Sequence, residues 1–222
     1  MKKTKFIAFS GGCFSGKTTT MKLAKKIFES NGIKVVMLDE LMRDKKIVSI
    51  DEIRKNPVDY LNLQEEIIKK KIEMEKELLS RNDECIVLID RAITDSLFYM
   101  LFYIDKSGLD YKNMLKFEKL YAYVHKYAST VFRDVYDILI EFQPLNSIDC
   151  IQACDDKYRP TNLLVQRLSE HRLISTFNRA YCNDDCKCTN IYLNVSTAKE
   201  NELESIFTLV SENYLKEWHG NR

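Results

Sequence analysis

Residues Phe6 to Thr20 read FIAFSGGCFSGKTTT, and no other stretch constrains the chain as strongly. Gly11 is followed by four residues and then by Gly16-Lys17-Thr18, matching the phosphate-loop pattern G-x-x-x-x-G-K-[ST]. An apolar run precedes the pattern and a helix-forming run follows it, which is the strand, loop and helix context the motif needs. A strand ending at Ser10 delivers the loop to the end of a sheet, where glycines let successive backbone N–H groups turn inward around an anion. The residues expected to line that cradle are Gly11, Gly12, Cys13, Phe14, Ser15, Gly16, Lys17, Thr18 and Thr19. Lys17 is placed to reach β and γ phosphate oxygens and the Thr18 hydroxyl to ligate magnesium, both at the positive end of the helix that follows.

Downstream, strand-like and helix-like segments alternate. Met21 to Glu29 has helical spacing and is stopped by Asn31-Gly32; Ile33 to Leu38 is a short apolar strand ending in Asp39-Glu40. Residues 43–59 are polar with Pro57 as a breaker, and Tyr60 to Leu79 is a long helix. Cys85 to Asp90 is a third strand, followed by an aromatic-rich helix through Ile104 and a helix from Tyr111 to Tyr127. Tyr136 to Phe142 is the fourth strand, and Gln143 to Pro160 a long polar connection. Leu163 to Tyr181 (helix), Ile191 to Val195 (fifth strand) and Glu200 to Trp218 (helix) close the chain. This alternation predicts a three-layer α/β/α architecture on a mainly parallel sheet, whose ligands gather beyond the C-terminal ends of the strands.

At 222 residues the chain is expected to form a single domain over 1–222, large enough to dispense with disulfides. With 45% hydrophobic residues and a net charge of +1, composition argues against disorder and against a concentrated basic surface, so no nucleic acid is expected. No apolar run approaches the ~20 residues that span a bilayer, so no membrane partner is expected. The basic start MKKTK leads straight into the phosphate loop and is not read as a signal. Seven cysteines, an odd number, suit a reducing, cytoplasmic setting. Five of them, Cys150, Cys154, Cys182, Cys186 and Cys188, either supply thiolates to a structural zinc or stay free. The composition is compatible with a homodimer.

Phosphate loops serve switches, motors and kinases, so other residues must discriminate. Asp90-Arg91 follows the third strand: the carboxylate can hold magnesium or accept a proton and the arginine can clamp an acceptor, or the pair merely caps the next helix. Glu40 with Arg43 after strand two is either an acid–base and substrate-binding pair or an exposed ion pair. Asp155-Asp156-Lys157-Tyr158-Arg159 is either a phosphate-gripping segment or a solvated loop.

Taken together, GGCFSGKTTT, DELMR after strand two, LIDRAITDSLFY at strand three and EFQPL followed by DDKYR resemble the P-loop nucleoside and nucleotide kinases, in the branch of ribosylnicotinamide kinase and thymidylate-type kinases. The resemblance implies a P-loop NTPase fold with sheet order 2-3-1-4-5, a lid at 143–160 after strand four, and transfer of the γ-phosphoryl group of ATP to a small acceptor with Mg2+. It assigns phosphate and magnesium to Lys17 and Thr18, the acid–base role to Glu40 or Asp90, the acceptor to Arg91, and a lid contact to Arg159. Ala92 after the Asp-Arg pair and the inserted LNSIDCIQAC depart from the family pattern. The competing reading is a nucleotide-dependent switch or regulatory NTPase acting through a protein partner, although the chain has no N-K-x-D guanine signature.

Overall fold

The computed structural model describes residues 3–12, 15–38, 50–142, 164–182, 186, 188–193 and 200–219. Five strands, β1 (Lys5–Ser10), β2 (Val35–Leu38), β3 (Ile86–Asp90), β4 (Tyr136–Phe142) and β5 (Thr189–Leu193), form one sheet. Every neighbouring pair is parallel and the order is β2-β3-β1-β4-β5. The seven α-helices among the described residues are α1 (Lys17–Ser30), α2 (Ile50–Arg54), α3 (Pro57–Arg81), α4 (Ile93–Tyr103), α5 (Tyr111–Asp134), α6 (Leu164–Tyr181) and α7 (Glu200–His219). None is long and apolar enough to cross a membrane.

The central strands read as continuous apolar runs because both faces of a parallel sheet are covered. Successive residues then alternate between two cores. Phe6, Ala8, Val87, Ile89 and Leu139 pack with Leu61, Ile68 and Ile72 of α3, Leu97 of α4 and Val124 and Ala128 of α5. Ile7, Phe9, Ile86, Leu88 and Ile140 pack on the opposite face with Met21, Ala24 and Phe28 of α1 and Leu203, Phe207 and Tyr214 of α7. The sheet is thereby fixed between two helical layers, with β1 at its centre.

Strand and helix ends shift by a few residues from the sequence expectation, as at β2, which starts at Val35, and β5, which spans Thr189–Leu193, and two of the differences have a clear cause. Pro57 does not break the chain but starts α3: Asn56 caps the helix, its side-chain oxygen accepting from Val58 N (3.0 Å) and Asp59 N (3.3 Å), and proline suits the first helical turn where its missing N–H costs nothing. The α5 helix runs past Tyr127 to Asp134 because Ala128, Val131 and Phe132 continue its buried stripe. A buried Lys71–Glu75 ion pair (3.1 Å) ties α3 to its neighbours, since Glu75 also accepts from Tyr127 (2.9 Å) and Tyr136 (3.1 Å). Burial, and then the Glu75 carboxylate, push both phenols well above their ordinary range.

Candidate active site

The phosphate loop leaves β1 at Ser10 and enters α1 at Lys17. Gly16, the residue before the helix, has φ +87°, and Gly11 has φ +147°, conformations that glycine adopts without a Cβ clash. Lys17 is curled into the loop: its ammonium donates to the carbonyls of Gly11 (2.8 Å) and Gly12 (2.7 Å) and to the Ser15 hydroxyl (3.2 Å). The charge is already desolvated and pre-positioned. Turning to a phosphate exchanges carbonyl acceptors for stronger anionic ones, at little further desolvation cost.

The next residue reaches across to β3. Phe9 and Asp90 are partners in the ladder, so the end of β3 lies beside the start of the loop. The Thr18 hydroxyl donates to Asp90 Oδ2 at 3.2 Å, while the buried Asp90 Oδ1 accepts no hydrogen bond among the described residues. A buried carboxylate oxygen without a donor is costly. A hard cation ligated by Asp90 and Thr18 relieves that cost, and a carboxylate with a neighbouring hydroxyl is the oxygen donor chemistry that magnesium takes. The residues present therefore fit the ion.

Arg91 follows in a left-handed conformation, φ +73°, with its N–H donating to Phe9 O at 2.9 Å. For a non-glycine residue this costs about 1–2 kcal/mol, and such strain concentrates at functional positions. The guanidinium donates to Tyr99 Oη at 2.7 Å and sits 4.8 Å from the centre of the Tyr99 ring. Tyr99 in turn stacks on Tyr103 (5.8 Å between centroids, 13° between planes), and Arg54 lies 3.6 Å above the Tyr103 ring. Tyr103 donates to Glu170 of α6, whose Oε2 is buried and has no partner among the described residues. Helical spacing on α4 thus sends Phe98 into the core and leaves Tyr99 and Tyr103 as a half-buried wall that Arg91 meets at Tyr99.

Behind the loop lies a buried polar network that sequence reasoning missed. Asp95, in the first turn of α4, accepts from the Ser10 hydroxyl and from Gly11 N (3.3 Å). Asn178 of α6 donates to Ser10 Oγ (2.9 Å) and to Glu141 at the end of β4 (3.0 Å), and accepts from Thr94 (2.5 Å). Four elements are pinned to the base of the loop this way. Full burial pushes the Asp95 carboxyl up to about 6, against the pull of Arg91 and Lys17 in the other direction. The signal available in sequence was Thr94-Asp95 inside a helix start, which has no recognisable partner nearby.

Of the residues singled out in the sequence, Gly11, Gly12, Ser15, Gly16, Lys17, Thr18, Asp90 and Arg91 are brought together here, while Thr19, next along the helix, is exposed. Cys13, Phe14, Glu40, Arg43, Arg159 and the segment 143–160 lie outside the described residues. Arg54, Asp95, Asn178 and Glu170 are the additions, and they are joined by Tyr99 and Tyr103, aromatics that the sequence offers equally as stacking or core residues and so leaves unassigned.

A parallel sheet ordered 2-3-1-4-5, with a glycine loop between the central strand and its helix and a carboxylate on the adjacent strand facing that helix's first threonine, defines a nucleotide-binding P-loop NTPase fold. The family model described as an AAA domain (AAA_28) matches residues 6–181. The chain belongs to that family. Among solved structures it is similar to the crystal structure of a NadR protein in complex with NR, with a TM-score of 0.62 at 17% identity, a likeness of fold. The match covers 98% of this chain but 52% of the other, so the chain spans about half that protein's length. No curated protein matches it in sequence.

Proposed function

We propose that the chain is an ATP-dependent phosphotransferase that passes the γ-phosphoryl group to a hydroxyl or phosphate of a nucleoside, nucleotide or similar small acceptor. The observation that carries this reading is the arrangement at the end of β3. Asp90 turns to Thr18 of the phosphate-loop helix, and the strained Arg91 beside it turns to the aromatic wall of α4, so nucleotide and acceptor groups adjoin through one peptide bond. A hydrolytic switch has no need of a cation-and-aromatic wall at that point.

In this reading Lys17 leaves the Gly11 and Gly12 carbonyls for the β and γ phosphate oxygens. Thr18 and Asp90 would hold magnesium, which would neutralise phosphate charge when bound. Arg91 orients the acceptor by hydrogen bonding, and Tyr99 and Tyr103 offer ring faces to a planar group while helping to exclude water. The proton of the attacking hydroxyl goes to Asp90 or to Glu40, the two candidates read from sequence. The cellular setting consistent with this chemistry is the cytoplasm, where ATP is supplied. The test is ADP release from ATP and magnesium over a panel of nucleosides, nucleoside monophosphates and ribosylnicotinamide. Stimulation by an acceptor supports the proposal; slow release indifferent to every acceptor moves the reading to a nucleotide switch.

A further inference from the structure

The end of α6 and the approach to β5 carry Cys182, Cys186 and Cys188, whose three sulfur atoms lie within 4.8 Å of one another. All three are free thiols, packed at the edge of the core formed by α3, α4 and α5. They are already arranged around one another, and Cys188 N–H donates to Cys186 Sγ at 3.4 Å. Because β5 runs parallel to β4 and β1, the residues that enter it lie at the opposite end of the sheet from the phosphate loop. The cluster is therefore separate from the candidate active site.

We propose that Cys182, Cys186 and Cys188 form a three-thiolate site for a zinc-class divalent ion that pins the end of α6 to the start of β5. Tetrahedral zinc with Zn–S of about 2.3 Å sets its sulfurs roughly 3.8 Å apart, so closure from the separations seen here takes about 1 Å or less per pair. Thiolates select soft or borderline ions, whereas Asp90 and Thr18 present only oxygen, so the two sites draw on different metals. The Cys188 N–H to Cys186 bond is of the kind that orients a metal thiolate and strengthens when the sulfur is charged. Each thiol gives its proton to solvent as it binds, Cys186 thereby giving up its bond to the Phe132 carbonyl (2.6 Å), and solvent or an added donor completes the fourth corner. The ion has a structural consequence at a distance. Cys182 N–H closes the last turn of α6 on the Asn178 carbonyl (2.9 Å), and the Asn178 side chain holds Ser10 at the base of the loop.

The test uses the full chain, purified reduced and without chelator, then stripped and titrated with Zn2+ or Co2+ alone. The expected results are about one zinc per chain, a thiolate-to-cobalt charge-transfer band that magnesium does not displace, and a rise of roughly 5–10 °C in Tm on zinc binding. Cys182→Ser and Cys188→Ser should lose the band, and Cys85→Ala should keep it. Absence of both the band and the Tm rise in the stripped, reduced, folded wild type overturns the proposal, as does a Cys182–Cys188 disulfide in freshly prepared chain. The wild-type measurement decides alone, so a variant that fails to fold does not obscure the answer.

Discussion

Asp95 offers a stability test with a definite sign. Its carboxyl is fully buried behind the phosphate loop and pushed from 3.8 up to about 6, chiefly by burial. The folded value exceeds the unfolded one, so between about pH 4 and pH 6 the folded chain keeps a proton that the unfolded chain has released. Stability from this group is therefore greatest below pH 4 and is lost as pH rises through 6. The displacement corresponds to about 3 kcal/mol at 1.36 kcal/mol per pH unit. Asp95→Asn removes the titration while adding a constant offset, because the amide cannot accept from both Ser10 and Gly11 as the carboxylate does. Urea unfolding of wild type and Asp95→Asn from pH 4 to 7.5 measures the effect, and subtracting the curves cancels other carboxylates. Wild type should lose about 2.4 kcal/mol relative to the variant across that range, the rest of the displacement falling below pH 4. A difference that is flat with pH, or that rises, refutes the argument.

Two further predictions concern the end of β3. Arg91→Gly should be more stable than Arg91→Ala by about 1 kcal/mol, since only glycine holds φ +73° without strain, and both should raise the acceptor KM; denaturation and initial rates check this. Asp90→Asn should lower turnover by ~100-fold and raise the magnesium concentration needed for half-maximal rate, whereas an unchanged magnesium dependence would place the carboxylate's role elsewhere.

How much of this was legible in the sequence follows from the range of the interactions. Lys17, Gly11 and Ser15 meet within six residues, so a local pattern identifies them. The strands were legible because a doubly covered sheet demands unbroken apolar runs such as Ile86 to Leu88. The sheet order, by contrast, rested on family resemblance, since alternation alone does not say which strands adjoin. The Asp95, Ser10 and Asn178 network was illegible: its bonds join residues 85 and 168 apart, and each side chain alone looks like an ordinary polar residue in a helix or strand. Pro57 misled because a proline at a helix start and one that breaks a helix look alike until the Asn56 cap is seen. Tyr99 and Tyr103 share helical spacing with the core residue Phe98, and only the tertiary packing of α4 tells lining from core.

The most direct measurement follows the phosphoryl group itself. ATP labelled at the γ position is incubated with magnesium, the full chain and each acceptor in turn, with Lys17→Ala alongside, and the label is traced to acceptor or to inorganic phosphate. The account predicts label on one acceptor, dependent on Lys17. Label appearing only in inorganic phosphate, or transferred equally well by Lys17→Ala, contradicts it.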